Sequence, residues 1–191
     1  MAYRTIDVHH LESVSLVNGP GRRAVLWVQG CSLACPGCFN PETHGRRTGQ
    51  DYTVSQLMSW LVDTAREFQL DGLSISGGEP LQQWQAVYGL LQQIKDSLPD
   101  LTVLLFTGYT WDEIPVRVET ELSRVTDVVL AGRYQAHQRV ASGLIGSANK
   151  VPRFYTDRIT PAQLQQTQKA EIILHPDGRF TFTGIDPVVM A

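Results

Sequence analysis

Short apolar runs alternate along this chain with longer stretches in which apolar side chains return every three or four residues. Ala24 to Gln29 (AVLWVQ) is a compact run of strand-favouring residues stopped at Gly30, and reads as a buried strand. Thr53 then precedes Val54 to Phe68, where Leu57, Trp60, Leu61, Thr64, Ala65 and Phe68 fall at helical spacing. Gln56, Asp63, Arg66 and Glu67 make the opposite, polar face. The pattern repeats with Gly72 to Ser76 as a strand, Gly77-Gly78-Glu79-Pro80 as a turn, and a helix from about Leu81 to Leu98 closed by Pro99. Leu101 to Phe106 is a third strand running into Thr107-Gly108-Tyr109. A helix is expected to begin within Trp111 to Val118, with Pro115 in its first turn. Asp127 to Ala131 supplies a fourth strand. Ser142 to Arg153 reads as a loop, and Ile172 to Leu174 with Phe180 to Phe182 as a hairpin turned through His175-Pro176-Asp177-Gly178.

Strands and helices in alternation favour parallel pairing through crossover helices, so the expected class is α/β, as a sheet or a partial (β/α) barrel, with the small hairpin at the carboxyl end. At 191 residues the chain is the length of one ordinary domain, expected to span 1–191. Active sites in such folds gather where strands end at their carboxyl termini. That rule puts the residues after Gln29, Ser76 and Phe106 on one rim.

Composition narrows the field. With 42% hydrophobic and 18% charged residues and a net charge of -3, the chain has no broad basic field for nucleic acid. Met1 to His10 lacks the basic head and apolar core of a secretion signal, and no run approaches the ~20 apolar residues of a membrane span. A cytoplasmic protein with neither a membrane nor a nucleic-acid partner is expected.

The 3 cysteines then change the picture, because all of them lie in Cys31-Ser-Leu-Ala-Cys35-Pro-Gly-Cys38. They are too few and too close for a disulfide framework, and soft thiolates clustered in this way select zinc or an iron-sulfur cluster. A structural zinc site would need a fourth ligand, for which His44 is the nearby candidate. A cubane held through three irons would instead leave its fourth iron open to an outside ligand. Spacing leaves both readings standing.

Cys-x3-Cys-x2-Cys after a first strand resembles the signature of the radical S-adenosylmethionine (SAM) superfamily. More narrowly, CPGCFNPETH (Cys35 to His44), SGGEP (Ser76 to Pro80), LFTGYTWDEI (Leu105 to Ile114), DVVLAGRY (Asp127 to Tyr134) and IGSANK (Ile145 to Lys150) resemble the glycyl-radical activating proteins of anaerobic, class III ribonucleotide reductase. Gly37 before the third cysteine and Phe39 after it follow that subfamily, whereas most of the superfamily has an aromatic residue before it. Two positions depart from the pattern: Ala131 stands where the family has an acidic residue, and Ile145-Gly-Ser-Ala-Asn149 where Arg-Gly-Ser-Ser-Asn is usual.

The resemblance implies a 4Fe-4S cluster on Cys31, Cys35 and Cys38 as the catalytic centre, with SAM on its open iron. It further implies that Glu79, after Gly77 and Gly78, accepts from the SAM ammonium, and that Phe39 walls the adenine beside the backbone of Gly37 to Phe39. Thr107, Gly108 and Tyr109 would flank SAM or an incoming substrate loop; Arg133, His137 and Arg139 would face a partner; Gly146, Ser147 and Asn149 have turn character. The implied partners are a glycyl-radical enzyme, namely the anaerobic reductase, and flavodoxin or ferredoxin as electron donor. The competing readings are a radical SAM enzyme acting on a peptide or small molecule, and a non-catalytic zinc module.

Overall fold

The computed structural model describes residues 5–185, apart from the side chain of Ala141. Met1 to Arg4, part of the stretch read for a secretion signal, lie outside the described residues. β1 (Thr5–Ser15) and β2 (Arg23–Val28) form an antiparallel pair, and β3 (Gln50–Thr53) joins the other side of β1. Then follow α1 (Val54–Phe68), β4 (Gly72–Gly77), α2 (Trp84–Ser97), β5 (Thr102–Thr107), α3 (Val116–Val125) and β6 (Val128–Ala131). The chain continues through β7 (Arg139–Ser142), β8 (Ile145–Ser147), β9 (Val151–Phe154), α4 (Pro161–Gln166), β10 (Ala170–Leu174) and β11 (Phe180–Gly184).

Seven strands make one open sheet in the order β3-β1-β2-β4-β5-β6-β9, which does not close into a barrel. β2, β4, β5 and β6 are parallel neighbours, as strand-helix alternation requires; β9 caps the far edge antiparallel to β6. Each central strand divides its side chains between two faces. Leu26, Ile75, Leu105 and Val129 pack beneath α1, α2 and α3 in the larger core. Leu104, Val128 and Leu130 face the other way, onto Leu144, Ile159 and Leu164. Trp27, Ser76 and Phe106 share this second face and line an open cavity at the strands' carboxyl ends.

Local signals explain the helices. Thr53 closes a capping box with Gln56 at the start of α1, and Gln69 ends it in the left-handed conformation. The second helix begins as a 3-10 turn over Pro80–Gln83 before α2 proper. Two expectations need correction. A helix does begin within Trp111 to Val118, but α3 covers Val116–Val125 and Pro115 is its N-cap, the residue before the first turn rather than part of it. Ser142 to Arg153 is not a loop throughout: it contains β8 and most of β9, and Pro152 is tolerated there because β9 is an edge strand.

The end of the sheet remote from the cysteines is tied by buried charge. Arg23, fully buried, donates to Ser74 Oγ, Thr102 Oγ1 and the carbonyl oxygens of Pro20, Leu73 and Thr102. Asp127 accepts from the Val103 amide at 2.7 Å, Thr156 Oγ1 at 2.7 Å and Lys95 Nζ at 3.2 Å. Burial alone would raise the Asp127 carboxyl, but these donors and the Lys95 charge hold it below its ordinary value. A carboxyl lowered on folding stabilises at any pH above its unfolded value of ~3.9, and that contribution fades as pH falls through the lower folded value. Asp127→Asn is therefore expected to cost about 1–3 kcal/mol at pH 7. In urea titrations the gap from the parent protein should close below about pH 4; a gap of equal size at pH 3 and pH 7 would refute this account.

Candidate functional site

Gly30 ends β2, and the chain then makes a closed excursion that returns to it. The Gly30 amide donates to Thr43 O at 2.7 Å and the Cys31 amide to His44 O at 3.3 Å. Between these ties the Cys38 amide donates to Cys35 O at 3.1 Å. Gln29 fixes the base of the loop, its Nε2 donating to the carbonyls of Glu42 and Gly45. Ser32 on the loop and Gln82 after β4 bind each other twice, Ser32 N to Gln82 Oε1 and Gln82 Nε2 to Ser32 Oγ. Cys31, Cys35 and Cys38 are free and half-buried, and all three line one cavity of about 580 Å³.

Gly77, Gly78 and Glu79 line the same cavity. The sequence suggests that two residues without side chains admit a ligand, but geometry gives them a different first duty. A Cβ on Gly77 (φ +98) would lie 2.5 Å from the backbone N and O of Val28, and one on Gly78 would lie 2.4 Å from Gly30 O. The pair is glycine because the turn packs directly on the strand that carries the cysteine loop, with Gly78 N donating to Val28 O and Glu79 N to Gly30 O. The two loops therefore hold each other in register.

Glu79 is fully buried. Its Oε1 accepts from Leu81 N at 2.9 Å and Thr107 Oγ1 at 2.8 Å, and its Oε2 from Gly108 N at 2.7 Å. Thr107 and Gly108 thus serve Glu79, and one lone pair on Oε2 is left for another donor. Burial pushes the Glu79 carboxyl up, against the pull of those donors and of Lys150. Burial likewise raises the thiols of Cys31 and Cys38 above their usual range.

Phe39 lines the cavity with one flank on Tyr134, at 4.6 Å between ring centres, and with the Arg139 guanidinium 5.7 Å from its centroid. Gly146 lies against it, since a Cβ there would meet the Phe39 ring at 3.1 Å. Arg133 does not present an uncommitted charge: it pairs with Glu113 and lies over Tyr109. Ser147 and Asn149 hold the segment after β6, through Gln135 N to Ser147 Oγ and Asn149 Nδ2 to Arg133 O. His137 is exposed and outside the cavity.

Sequence reading missed Lys150, which lines the cavity and whose Nζ donates to Gly132 O at 2.7 Å. It is one of 3 lysines in the chain, which was the available signal. Also missed was the far wall, made by His9, His10 and Trp27 together with Phe180 to Ile185 of the hairpin. The hairpin is pinned to the start of the chain: the Leu16 amide donates to Glu171, and Asn18 Nδ2 donates to Thr183 Oγ1 at 2.9 Å.

The donor set suits an iron-sulfur cluster. Three soft thiols share a cavity with space beside them, and His44, the fourth ligand a zinc site would need, is outside its lining. Among the described residues no three His, Cys, Asp or Glu groups converge on one metal ion, a convergence that ligands to separate irons do not require. No helix among the described residues is long and apolar enough to cross a membrane.

A model of the 4Fe-4S single cluster domain family matches residues 17–151. The anaerobic ribonucleoside-triphosphate reductase-activating protein of Vibrio cholerae is 34% identical over 158 residues, covering 79% of this chain and 99% of the relative. The chain belongs to this family. The protein of that name from Escherichia coli K12 is 33% identical over 152 residues, with 76% and 97% covered, and that of Enterobacteria phage T4 is 32% identical over 136 residues, with 70% and 85% covered. In this activating-protein chain the C-terminal hairpin lies beyond the residues that the family model matches.

Proposed function

We propose that this protein activates an anaerobic ribonucleotide reductase by radical SAM chemistry, in one domain whose open sheet serves as a partial (β/α) barrel. The observation that carries the reading is that Cys31, Cys35 and Cys38 share one cavity with Gly77, Gly78 and Glu79, in a chain of the activating-protein family. The three cysteines would hold three irons of a 4Fe-4S cluster and leave the fourth open to SAM. Reduced by flavodoxin or ferredoxin, a cluster so held would supply the one electron needed for reductive cleavage of SAM at its sulfur to 5' carbon bond, and thereby the means of taking a hydrogen atom from a glycine Cα of the reductase.

The chain's own part is binding, orientation and exclusion of water. The remaining lone pair of Glu79 Oε2 is placed to accept from the SAM ammonium, and the carboxylate is already aimed by Thr107 and Gly108, so little ordering is left for binding. Phe39, fixed by Tyr134, gives a flat wall for adenine, whereas Gly37, expected beside it, is exposed and outside the cavity lining. Trp27 and Phe106 make the adjoining wall apolar. The test is anaerobic reconstitution with iron and sulfide, then dithionite and SAM. A brown protein that forms 5'-deoxyadenosine, and a glycyl radical signal by electron paramagnetic resonance when the reductase is added, is expected. A colourless, zinc-binding protein that makes no product would refute the proposal.

A further inference from the structure

We infer that Lys150 is a fixed counter-charge of the cysteine site, placed to raise the bound cluster's affinity for an electron. The inference rests on the cluster reading above. Lys150 lies between β8 and β9, and it is the one lysine or arginine among the described residues that line the cavity. It shares that lining with Cys31, Cys35, Cys38 and Glu79, which puts its charge in one cavity with three thiols and a buried carboxylate.

Its position is set by the fold rather than by the flexibility of its stem. Lys150 Nζ donates to Gly132 O at 2.7 Å, and Lys150 N to Ser147 O at 3.1 Å. Gly132 is itself tied to the end of β5, its amide donating to Thr107 O at 3.1 Å. Asn149, the residue before Lys150, donates from its Nδ2 to Arg133 O at 2.8 Å. These bonds hold the ammonium against the segment that follows β6 and leave two of its three N–H groups unused by Gly132. Of the other nearby cations, Arg133 is bound to Glu113 outside the cavity lining, although its charge also reaches Cys35, and Arg139 lies over the Phe39 ring. Glu79, Cys35 and Cys38 act electrostatically on Lys150 in the sense that favours its charged form, while burial acts against it.

Three thiolates make a cluster site anionic, and each electron added makes it more so. A positive charge held nearby stabilises the reduced form over the oxidised one and raises the potential. Lys150 is thus a positioning and tuning residue rather than a ligand, and its loss should move the potential without releasing iron.

The experiment compares the full-length protein with Lys150→Gln, Lys150→Met and Lys150→Arg after anaerobic reconstitution. Iron content and the midpoint of the cluster couple are read by dye-mediated titration with paramagnetic resonance. Lys150→Gln keeps a donor for Gly132 O but no charge. Its midpoint should fall by an amount equivalent to roughly tenfold in the reduction equilibrium, about 59 mV for one electron. Lys150→Met should fall similarly, and Lys150→Arg should remain near the parent, all with full iron. A parent-like midpoint in fully loaded Lys150→Gln would overturn the inference, as would a shift in Lys150→Met alone, which would trace the effect to the Gly132 bond. A parent protein that takes up no iron would instead overturn the cluster reading, and this inference with it.

Discussion

Cys35→Ala protein is expected to fold, to emerge colourless from anaerobic reconstitution, and to make no 5'-deoxyadenosine from SAM and dithionite. Its backbone is tied by bonds that do not use the thiol: Cys35 O accepts from Cys38 N, and the ends of the loop are closed on Thr43 and His44. The half-buried side chain contributes little to either core, so far-ultraviolet circular dichroism and urea midpoint should stay close to the parent. Two remaining thiols cannot hold a cluster through three irons, which makes the loss of iron and of SAM cleavage simultaneous and close to complete. Normal cleavage by Cys35→Ala, or retained brown colour, would contradict the assignment. The same outcome is expected at Cys31 and Cys38.

The second large effect is on stability. Gly77→Ala forces a side chain onto a residue at φ +98 and drives its Cβ to 2.5 Å from backbone atoms of Val28 that cannot move without disturbing β2. The conformational strain is on the order of 1–2 kcal/mol and the overlap adds as much again or more, so a loss of about 3–5 kcal/mol is expected. Gly89→Ala is the control. Gly89 lies in α2, and nothing stands within 4 Å of its added Cβ, so that variant should gain up to about 1 kcal/mol from helix propensity. Urea unfolding of both variants, with iron loading measured alongside, checks the argument. A Gly77→Ala protein of parental stability and iron content would show that the contact between the two loops is unimportant.

The parallel core was readable because β2, β4, β5 and β6 are short apolar runs that a glycine or a turn stops, as buried parallel strands are. The hairpin was readable through its turn, where Gly178 sits at φ +84 and donates to His175 O. β1 was not readable, and its pairing shows why. The register against β2 shifts between Val8 and His10, so Ile6, Val8 and Leu11 turn inward without a constant period of two. β9 was hidden by Pro152, which a central strand would not accept but an edge strand does.

The site divides in the same way. The cysteines and Gly77 to Glu79 declare themselves because their spacing is local. Lys150 does not, since what makes it part of the cavity is the meeting of two distant segments at Gly132. The purpose of Gly77 and Gly78 was legible only in part: their identity follows from the motif, while their contact with β2 follows from three-dimensional packing.

The hairpin's hold on Leu16 and Asn18 bears on how the protein is made. Phe180 lies 142 residues beyond Cys38, so at a synthesis rate of ~5–20 residues per second the cysteine loop is complete on the order of ten seconds before its far wall exists. During that interval the three thiols belong to a growing chain whose cavity lacks one side. Iron delivered then meets a cup without that wall, and iron delivered after release meets the cavity with β11 already part of its lining.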